Sequence, residues 1–151
     1  MIEFIPTICP YCGAGCGFLL EVQDGTIVGT KPWLRHPVSQ GRLCIKGWNA
    51  HEFVYHEDRL KKPMLKEKGS FKEVSWTEAL KLVAEKLGEI RDKNGHDSIA
   101  LLSSAKCTNE ENYLLQKFAR VVIGTNNVDH CARLCHASTV AGLARAFGSG
   151  A

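Results

Sequence analysis

One stretch near the start of the chain decides how that part folds: Cys9-Pro10-Tyr11-Cys12-Gly13-Ala14-Gly15-Cys16. A fourth cysteine, Cys44, follows after 27 further residues, which makes the spacing C-x2-C-x3-C-x27-C. A 4Fe–4S cluster needs four thiolates, one for each iron. The spacing therefore predicts a redox protein whose cluster is held by one tight loop and one distant cysteine. Gly13, Gly15 and Gly17 allow the backbone of that loop to wrap closely.

Two other uses of these four cysteines stay open. Zinc is commonly bound by two C-x2-C pairs, but Cys44 has no such partner, so zinc would have to use the crowded triple and one distant thiol. A disulfide pair is the other alternative. The spacing favours the iron–sulfur cluster over both.

The composition bounds the class of protein. A chain of 151 residues forms one domain, with room for a small additional one. A net charge of +3 does not indicate a nucleic-acid partner. No apolar run is long enough to cross a membrane, and the first residues lack the basic region of an export signal. Seven cysteines, an odd number, fit free and ligating thiols in a reducing compartment, so we expect the cytoplasm.

The first part of the chain, residues 1–60, is predicted to be a small cluster domain. Residues 17–22 and 26–28 are aliphatic runs separated by a turn that contains Asp24 and Gly25, which is a strong β-hairpin signal. A loop over residues 31–41 then returns the chain to Cys44. The cluster is expected to organise this layer, since it has little core of its own.

The second part, residues 61–151, is predicted to be the first, incomplete part of a parallel α/β layer. Ser75 with Glu78 and Thr108 with Glu111 are capping boxes that begin two helices, which Gly95 and Gly124 end. Short strands are expected at 98–103 and near 127–128, and a third helix at about 138–147. The fold class is thus α/β: a small iron–sulfur β-hairpin domain followed by an incomplete parallel α/β layer.

The first of these helices carries an apolar stripe that predicts burial against a core. Its residues recur at helical spacing: Trp76, Leu80, Val83, Leu87 and Ile90. The next helix has a similar side. We interpret both stripes as core-facing surfaces and assign them no other role. Two strands make a narrow sheet for them to cover.

A second group of metal-binding residue types occupies 130–136, between a predicted strand and a predicted helix. Ligands bind at the carboxyl ends of strands in parallel α/β sheets. Cys135, beside a helix N-terminus, is expected to have a stabilised thiolate, and His136 can carry a proton near neutral pH. Two small thiols packed in a turn are an equally good interpretation. A zinc site from His130, Cys131, Cys135 and His136 is disfavoured, because near-adjacent ligands reach tetrahedral geometry with difficulty.

The chain resembles the N-terminal part of the catalytic subunits of molybdenum- or tungsten-dependent formate dehydrogenases, in the molybdopterin oxidoreductase family. The cysteine loop and residues 41–47 are shared with many molybdopterin enzymes. Residues 126–143, which include Cys131-Ala132-Arg133-Leu134-Cys135-His136, narrow the resemblance to formate dehydrogenases. The resemblance extends over essentially the whole chain.

This resemblance implies a role for each matching residue. The cluster ligands would be Cys9, Cys12, Cys16 and Cys44. Lys46 would lie between cluster and pterin on the electron path, although it could also be an ordinary surface lysine. Cys135 would ligate the metal and His136 would take part in proton transfer. The implied cofactors are the 4Fe–4S cluster and a molybdenum- or tungsten-bis(molybdopterin guanine dinucleotide), and the reaction is oxidation of formate to CO2 or its reverse.

The chain also departs from the family. Cys135 replaces the selenocysteine of some relatives, and Ala137-Ser138 stand where a Gly-Pro pair is common. Cys107 has no assigned role. Catalytic subunits of the family are several hundred residues long, so we expect a fragment or a separate subunit that needs the remaining catalytic portion or a partner subunit, and an electron-carrier protein. A small 4Fe–4S electron-transfer protein and another molybdopterin enzyme, such as formylmethanofuran dehydrogenase, are the alternatives.

Overall fold

The chain begins with a three-stranded antiparallel sheet in the computed structural model, which describes residues 1–150. Its strands are β1 (Ile2–Ile8), β2 (Gly17–Gln23) and β3 (Thr26–Pro32), in the order β1-β2-β3. Ile8 pairs with Gly17, so the cysteine loop closes the β1–β2 end of this sheet. The predicted hairpin is therefore confirmed as β2–β3, but the prediction of two strands is corrected to three.

The hairpin turn has the conformation that its sequence favours. Asp24 and Gly25 have φ angles of 50° and 81°, which is the left-handed region that a two-residue turn requires. Phe18, on β2, is the centre of the small core and is 2% exposed. It packs with Cys9 and Ala50, and with the partly buried Leu20 and Phe53. The cysteine loop is thus packed against the sheet through Cys9.

The return to Cys44 is a series of tight turns that ends in one short helix. His36 and Ser39 are buried within these turns. Helix α1 (Ile45–Trp48) follows Cys44 directly, and a 3₁₀ turn spans Glu52–Tyr55. The sequence did not predict α1, because four residues are too few to show a helical period.

A second hairpin links this region to the helices and was also not predicted. It pairs β4 (Met64–Glu67) with β5 (Ser70–Glu73). Lys68 and Gly69 form the turn, with φ angles of 49° and 90°. The Lys68-Gly69 dipeptide was the sequence signal for this turn. It was missed because the two strands contain polar residues and do not show the apolar pattern of a hairpin.

Helix α2 (Trp76–Asn94) begins and ends where predicted. The hydroxyl of Ser75 accepts a hydrogen bond from the Glu78 N–H at 3.2 Å, and Gly95 ends the helix with φ 86°. The predicted burial of its apolar stripe is wrong for the part of the chain described: Trp76 is 66% exposed and Leu80 61%. The physical reason is that the sheet beside it contains only two short strands within residues 1–150.

The two-stranded parallel sheet confirms the predicted α/β class. Strand β6 (Leu101–Ser103) pairs in parallel with β7 (Val128–His130). The strand predicted over 98–103 starts late, because His96–Ser98 forms a 3₁₀ turn. Between the strands, α3 (Asn109–Lys117) continues as a π-helix over Phe118–Ile123.

Two helices follow β7. They are α4 (Ala132–Cys135) and α5 (Ala137–Phe147), and α5 agrees with the third predicted helix. Gly124 ends the preceding π-helix in the left-handed conformation, as predicted. None of the helices within residues 1–150 is long and apolar enough to span a membrane.

Candidate metal centres

The four cysteines of the first group lie around one end of the three-stranded sheet. Cys9 follows β1 and is buried, Cys12 and Cys16 are partly buried in the loop, and Cys44 is exposed on the returning chain. The backbone N–H of Cys9 donates to the carbonyl oxygen of Cys16 at 2.8 Å, which closes the loop. All four are free thiols, so the donor set is chemically available to a metal.

The other three cysteines act electrostatically on the Cys16 thiol. Burial raises this pKa first, and the charges of Cys9, Cys12 and Cys44 raise it further. Each thiolate disfavours a negative charge on its neighbour, so four of them are stable together only when a cation balances them. The structure therefore brings the four predicted ligands into one electrostatic group.

Cys44 has the opposite electrostatic setting. The backbone amides of Gly47 and Lys46, at the N-terminus of α1, lower the pKa of its thiol, and the Lys46 ammonium contributes a smaller lowering. A thiolate is the form that ligates metal. The short helix that the sequence missed thus prepares the distant cysteine for ligation.

The residue types of this group bear on which metal it could hold. Zinc holds its sulfur ligands about 2.3 Å away, so all four must converge on one point. Within residues 1–150, no three His, Cys, Asp or Glu side chains converge closely enough to hold one metal ion. A 4Fe–4S cube places each thiolate on a different iron and so accepts wider spacing. A set of four cysteine thiols fits a 4Fe–4S cluster.

Lys46 is exposed on α1, two residues after Cys44. It borders a surface cleft with Tyr11, Asn49 and Phe53. The rings of Tyr11 and Phe53 meet edge to face, with centroids 6.0 Å apart, so one wall of this cleft belongs to the packed core. Its position on the electron path stays a prediction.

The second group lies at the carboxyl ends of β6 and β7, as predicted. Ser103 and His130 are paired last residues of the two strands. Cys135 and His136 follow at the junction of α4 and α5, and both side chains are exposed. An exposed thiol and imidazole on adjacent residues fit the outer edge of a metal site. Their roles as ligand and proton carrier stay predictions.

The sequence did not predict the polar contacts of Cys131. Its sulfur accepts a hydrogen bond from the Ala105 N–H at 3.2 Å and lies 3.9 Å from the Ser104 hydroxyl. The Ala105 N–H is the main cause of its lowered pKa, with smaller contributions from Ser104 and Cys135. The Cys131 thiol is thus held by polar contacts, and both interpretations of this segment stay open.

Asp129 and Arg133 stiffen the same segment. The Arg133 guanidinium Nε donates to Asp129 Oδ2 at 2.9 Å, and the pKa of this carboxyl is lowered, first by that bond and then by the His130 N–H. The ring of His130 accepts the Ala132 N–H at Nδ1, 3.0 Å away. These contacts fix how the chain leaves β7 and enters α4.

An open groove lies beside these strand ends. Its lining comes from β6, α3 and β7: Ser103, Asn112, Tyr113, Gln116, Val128, Asp129 and His130. Ser103 hydrogen bonds to Asn112, which orients two polar groups toward the groove. Grooves at strand ends are where α/β folds commonly bind ligands.

Two further contacts were beyond sequence reasoning. Asn109 Nδ2 donates to the Gly13 carbonyl at 2.9 Å, which joins the cysteine loop to α3. Thr125, buried before β7, donates to Asp97 at 2.7 Å. No local spacing in the sequence predicts a contact between residues that are 96 positions apart. The only available signal was the position of Asn109 directly after the helix cap Thr108.

Family models match both parts of the chain. The model described as "Molybdopterin oxidoreductase" matches residues 59–150, which is more than half of the chain. The chain belongs to the molybdopterin oxidoreductase family. The model described as "Molybdopterin oxidoreductase Fe4S4 domain" matches residues 2–56, which contain all four clustered cysteines. For this family member the matches support a 4Fe–4S cluster and a molybdopterin cofactor.

The sequence relatives of this molybdopterin oxidoreductase include formate dehydrogenase subunits. It is 57% identical over 150 residues to "F420-dependent formate dehydrogenase 1 subunit alpha" of Methanococcus maripaludis, with 99% of the chain aligned. It is 51% identical over 149 residues to the "F420-dependent formate dehydrogenase subunit alpha" of Methanocaldococcus jannaschii. The alignments cover 22% and 21% of those proteins, so the chain spans about a fifth of these curated relatives.

A solved structure agrees with the fold. Acetylene hydratase from Pelobacter acetylenicus matches 89% of the chain with a TM-score of 0.66 and 29% identity. The match covers 19% of that protein. The family models and the formate dehydrogenase relatives confirm the predicted family resemblance.

Proposed function

We propose that the chain is the cluster-bearing portion of a formate dehydrogenase catalytic subunit, which oxidises formate to CO2 or catalyses the reverse reaction. The observation that carries the proposal is the presence of two thiol sites in one chain. One is the four-cysteine group around Cys16, and the other is Cys135 with His136 at the end of a parallel sheet. The identity to formate dehydrogenase alpha subunits supports formate as the substrate.

In this proposal each site has a distinct task. When bound, the metal–pterin centre supplies two-electron redox chemistry and the cluster carries electrons singly. Cys9, Cys12, Cys16 and Cys44 hold the cluster through their thiolates. Cys135 holds the pterin-bound metal through its sulfur, and His136 accepts or returns a proton at an imidazole nitrogen. Lys46 places a positive charge beside the Cys44 thiolate, and in this proposal it lies on the electron path between cluster and pterin.

We further propose what completes the site. The exposed apolar stripe of α2, with Trp76 and Leu80, is suited to packing against further polypeptide of the catalytic subunit. The cofactor is proposed to be a bis(molybdopterin guanine dinucleotide) of molybdenum or tungsten, and an electron-carrier protein to receive the electrons. We retain a domain boundary near residue 60, with the second domain continuing to 151, although Ala151 lies outside the described residues. The free thiols favour the cytoplasm.

The deciding experiment is anaerobic affinity purification of the tagged chain from its own cells with whatever associates with it. We expect about four irons per chain, a reducible cluster signal in EPR spectra, and molybdenum or tungsten. Formate should reduce a viologen dye, and Cys135→Ala should abolish this while leaving iron unchanged. Absence of both metals and of formate oxidation, at full iron content, would contradict the proposal.

A second candidate is a small electron-transfer protein. It is favoured by one observation, that all four proposed cluster ligands lie within the first 44 residues, in the part of the chain before the α/β layer. In that case Cys135→Ala and His136→Gln would leave iron content, EPR spectrum and electron transfer unchanged. The same purification distinguishes the two functions, because only the first requires molybdenum or tungsten.

A further inference from the structure

A buried polar network stands directly behind the third cysteine of the loop. His36 and Ser39 are each 6% exposed, which is unusual for their residue types and places them among the few buried polar residues of this chain. Both contact Gly17, the residue that follows Cys16. Buried polar groups are retained when their hydrogen bonds are made, so this network requires an explanation at the level of the site.

The contacts show which ring nitrogen of His36 accepts hydrogen bonds. The N–H groups of Gly17 and Ser39 each lie 3.2 Å from His36 Nδ1. Backbone amides only donate, so Nδ1 is the acceptor and the ring carries its proton on Nε2. The Ser39 hydroxyl donates to the Gly17 carbonyl oxygen, 2.9 Å away, and also lies 3.2 Å from the Gly17 nitrogen.

The peptide bond between Cys16 and Gly17 is thereby held at both polar ends. Its carbonyl oxygen accepts the Cys9 N–H at 2.8 Å, and its N–H points to His36 and Ser39. Cys9 and Cys16 are both proposed cluster ligands, so this peptide sets their mutual placement. His36 supplies the anchor on the side away from Cys9.

The ring also fits the backbone sterically. A Cβ added to Gly17 would lie 2.2 Å from His36 Cδ2, far inside van der Waals contact. The imidazole is therefore packed against the glycine Cα, and its other side meets the Trp33 ring at a centroid distance of 5.0 Å. A shift of the His36 ring toward Gly17 would therefore displace the backbone of the cysteine loop.

We propose that His36 is a positioning residue for the iron–sulfur cluster. Its Nδ1 holds the Gly17 amide away from the Cys16 sulfur and so limits the hydrogen bonds that the cluster receives. This inference rests on the proposed function. Hydrogen bonds to cluster sulfurs are one of the factors that set reduction potential, because they stabilise the more negative reduced state. Without Nδ1 the Gly17 amide, one residue from a proposed ligand, keeps only the Ser39 hydroxyl as an acceptor and is held less firmly.

The test compares His36→Leu with His36→Asn in the full chain, purified anaerobically and reconstituted with iron and sulfide. Asn carries an oxygen where the imidazole has Nδ1, and Leu carries no acceptor. We expect His36→Leu to have a more positive midpoint potential and faster loss of iron to a chelator, and His36→Asn to resemble the wild type. His56→Leu, a change at an exposed histidine in the same region, should alter neither.

Hydrogen exchange of the Gly17 amide in the iron-free chain provides a readout without the cluster. The amide should be protected in the wild type and in His36→Asn, and should exchange faster in His36→Leu. Uptake of iron by the His36→Asn variant but not by the His36→Leu variant would also support the inference. The inference would be overturned if His36→Leu had the same midpoint potential and the same Gly17 amide exchange as the wild type. It would also be overturned if His36→Leu and His36→Asn were equally impaired. A wild-type chain that takes up no iron would instead overturn the proposed function.

Discussion

Asn109 hydrogen bonds through its side-chain amide to the carbonyl oxygen of Gly13, 2.9 Å away, although 96 residues separate the two. Gly13 lies in the cysteine loop and Asn109 is the first residue of α3. A side chain at Gly13 would press on the Asn109 amide, since an added Cβ would lie 2.8 Å from Oδ1. The contact joins the proposed cluster domain to the α/β layer that contains Cys135.

Asn109→Ala should loosen the cysteine loop. The lost bond is exposed, so we expect the free energy of unfolding to fall by about 0.5–1 kcal/mol and hydrogen exchange over residues 9–16 to accelerate. Asn94→Ala is the matched control, because Asn94 makes a similar exposed bond, but to Ile90 within its own helix. Equal exchange of the loop in both variants would show that the contact does not restrain it.

Alanine at two glycines should have opposite effects on stability. At Gly17 the new methyl group would displace the buried His36 ring, and we expect a loss of about 1–3 kcal/mol or more. At Gly88, inside α2, an added Cβ meets no heavy atom of the described chain within 4 Å beyond its own helix backbone. Gly88→Ala should stabilise by about 0.5–1 kcal/mol through helix propensity. Urea unfolding of both variants measures the difference, and a loss at both positions would contradict the argument.

The iron-free chain should alkylate its cysteines unequally. The pKa of Cys44 is lowered by the Gly47 and Lys46 amides, and that of Cys16 is raised by burial and by the other thiols. Near neutral pH Cys44 therefore has the larger thiolate fraction and should react first with iodoacetamide, as followed by mass spectrometry. In denaturing urea the two rates should converge. Faster reaction of Cys16 in the folded chain would refute the assignment.

The start of α3 depends on a complete capping box. Thr108 Oγ1 accepts the Glu111 N–H at 3.2 Å, and Glu111 Oε2 accepts the Thr108 N–H at 2.7 Å. Thr108→Ala should cost about 1 kcal/mol, whereas Thr108→Ser should be close to neutral. Thermal unfolding of the two variants tests this. Equal effects would mean that the hydroxyl is not what stabilises the cap.

The same box makes a contribution to stability that depends on pH. The Thr108 backbone N–H, and then its hydroxyl, lower the pKa of the Glu111 carboxyl in the folded chain. Its contribution is therefore fully present above the unfolded pKa of about 4.3 and is lost as pH falls through the lower folded value. Comparison of Glu111→Gln with wild type between pH 3 and 7 should show a stability difference that shrinks toward acid pH. A constant difference would exclude this linkage.

Much of the local structure was predictable because its causes lie within a few residues. Asp24 with Gly25 adopts the positive φ angles of its turn, Ser75 and Thr108 cap the helices that follow them, and Gly124 ends the π-helix. The four-cysteine spacing and the Cys135-His136 pair needed only sequence distance and residue type. Strand β1 was missed because its exposed apolar residues do not alternate, and its pairing with β2 passes across the cysteine loop.

The sequence by itself therefore determined the α/β class, the family and the candidate ligands, since spacing, capping and turn chemistry act locally. The tertiary structure decided which groups act on those ligands. Only the folded chain places His36 behind Gly17 and Asn109 against Gly13, and only there do burial and then the other thiols, Cys44 among them, raise the pKa of Cys16. These effects depend on distance and burial between residues far apart in the chain, which no local pattern encodes.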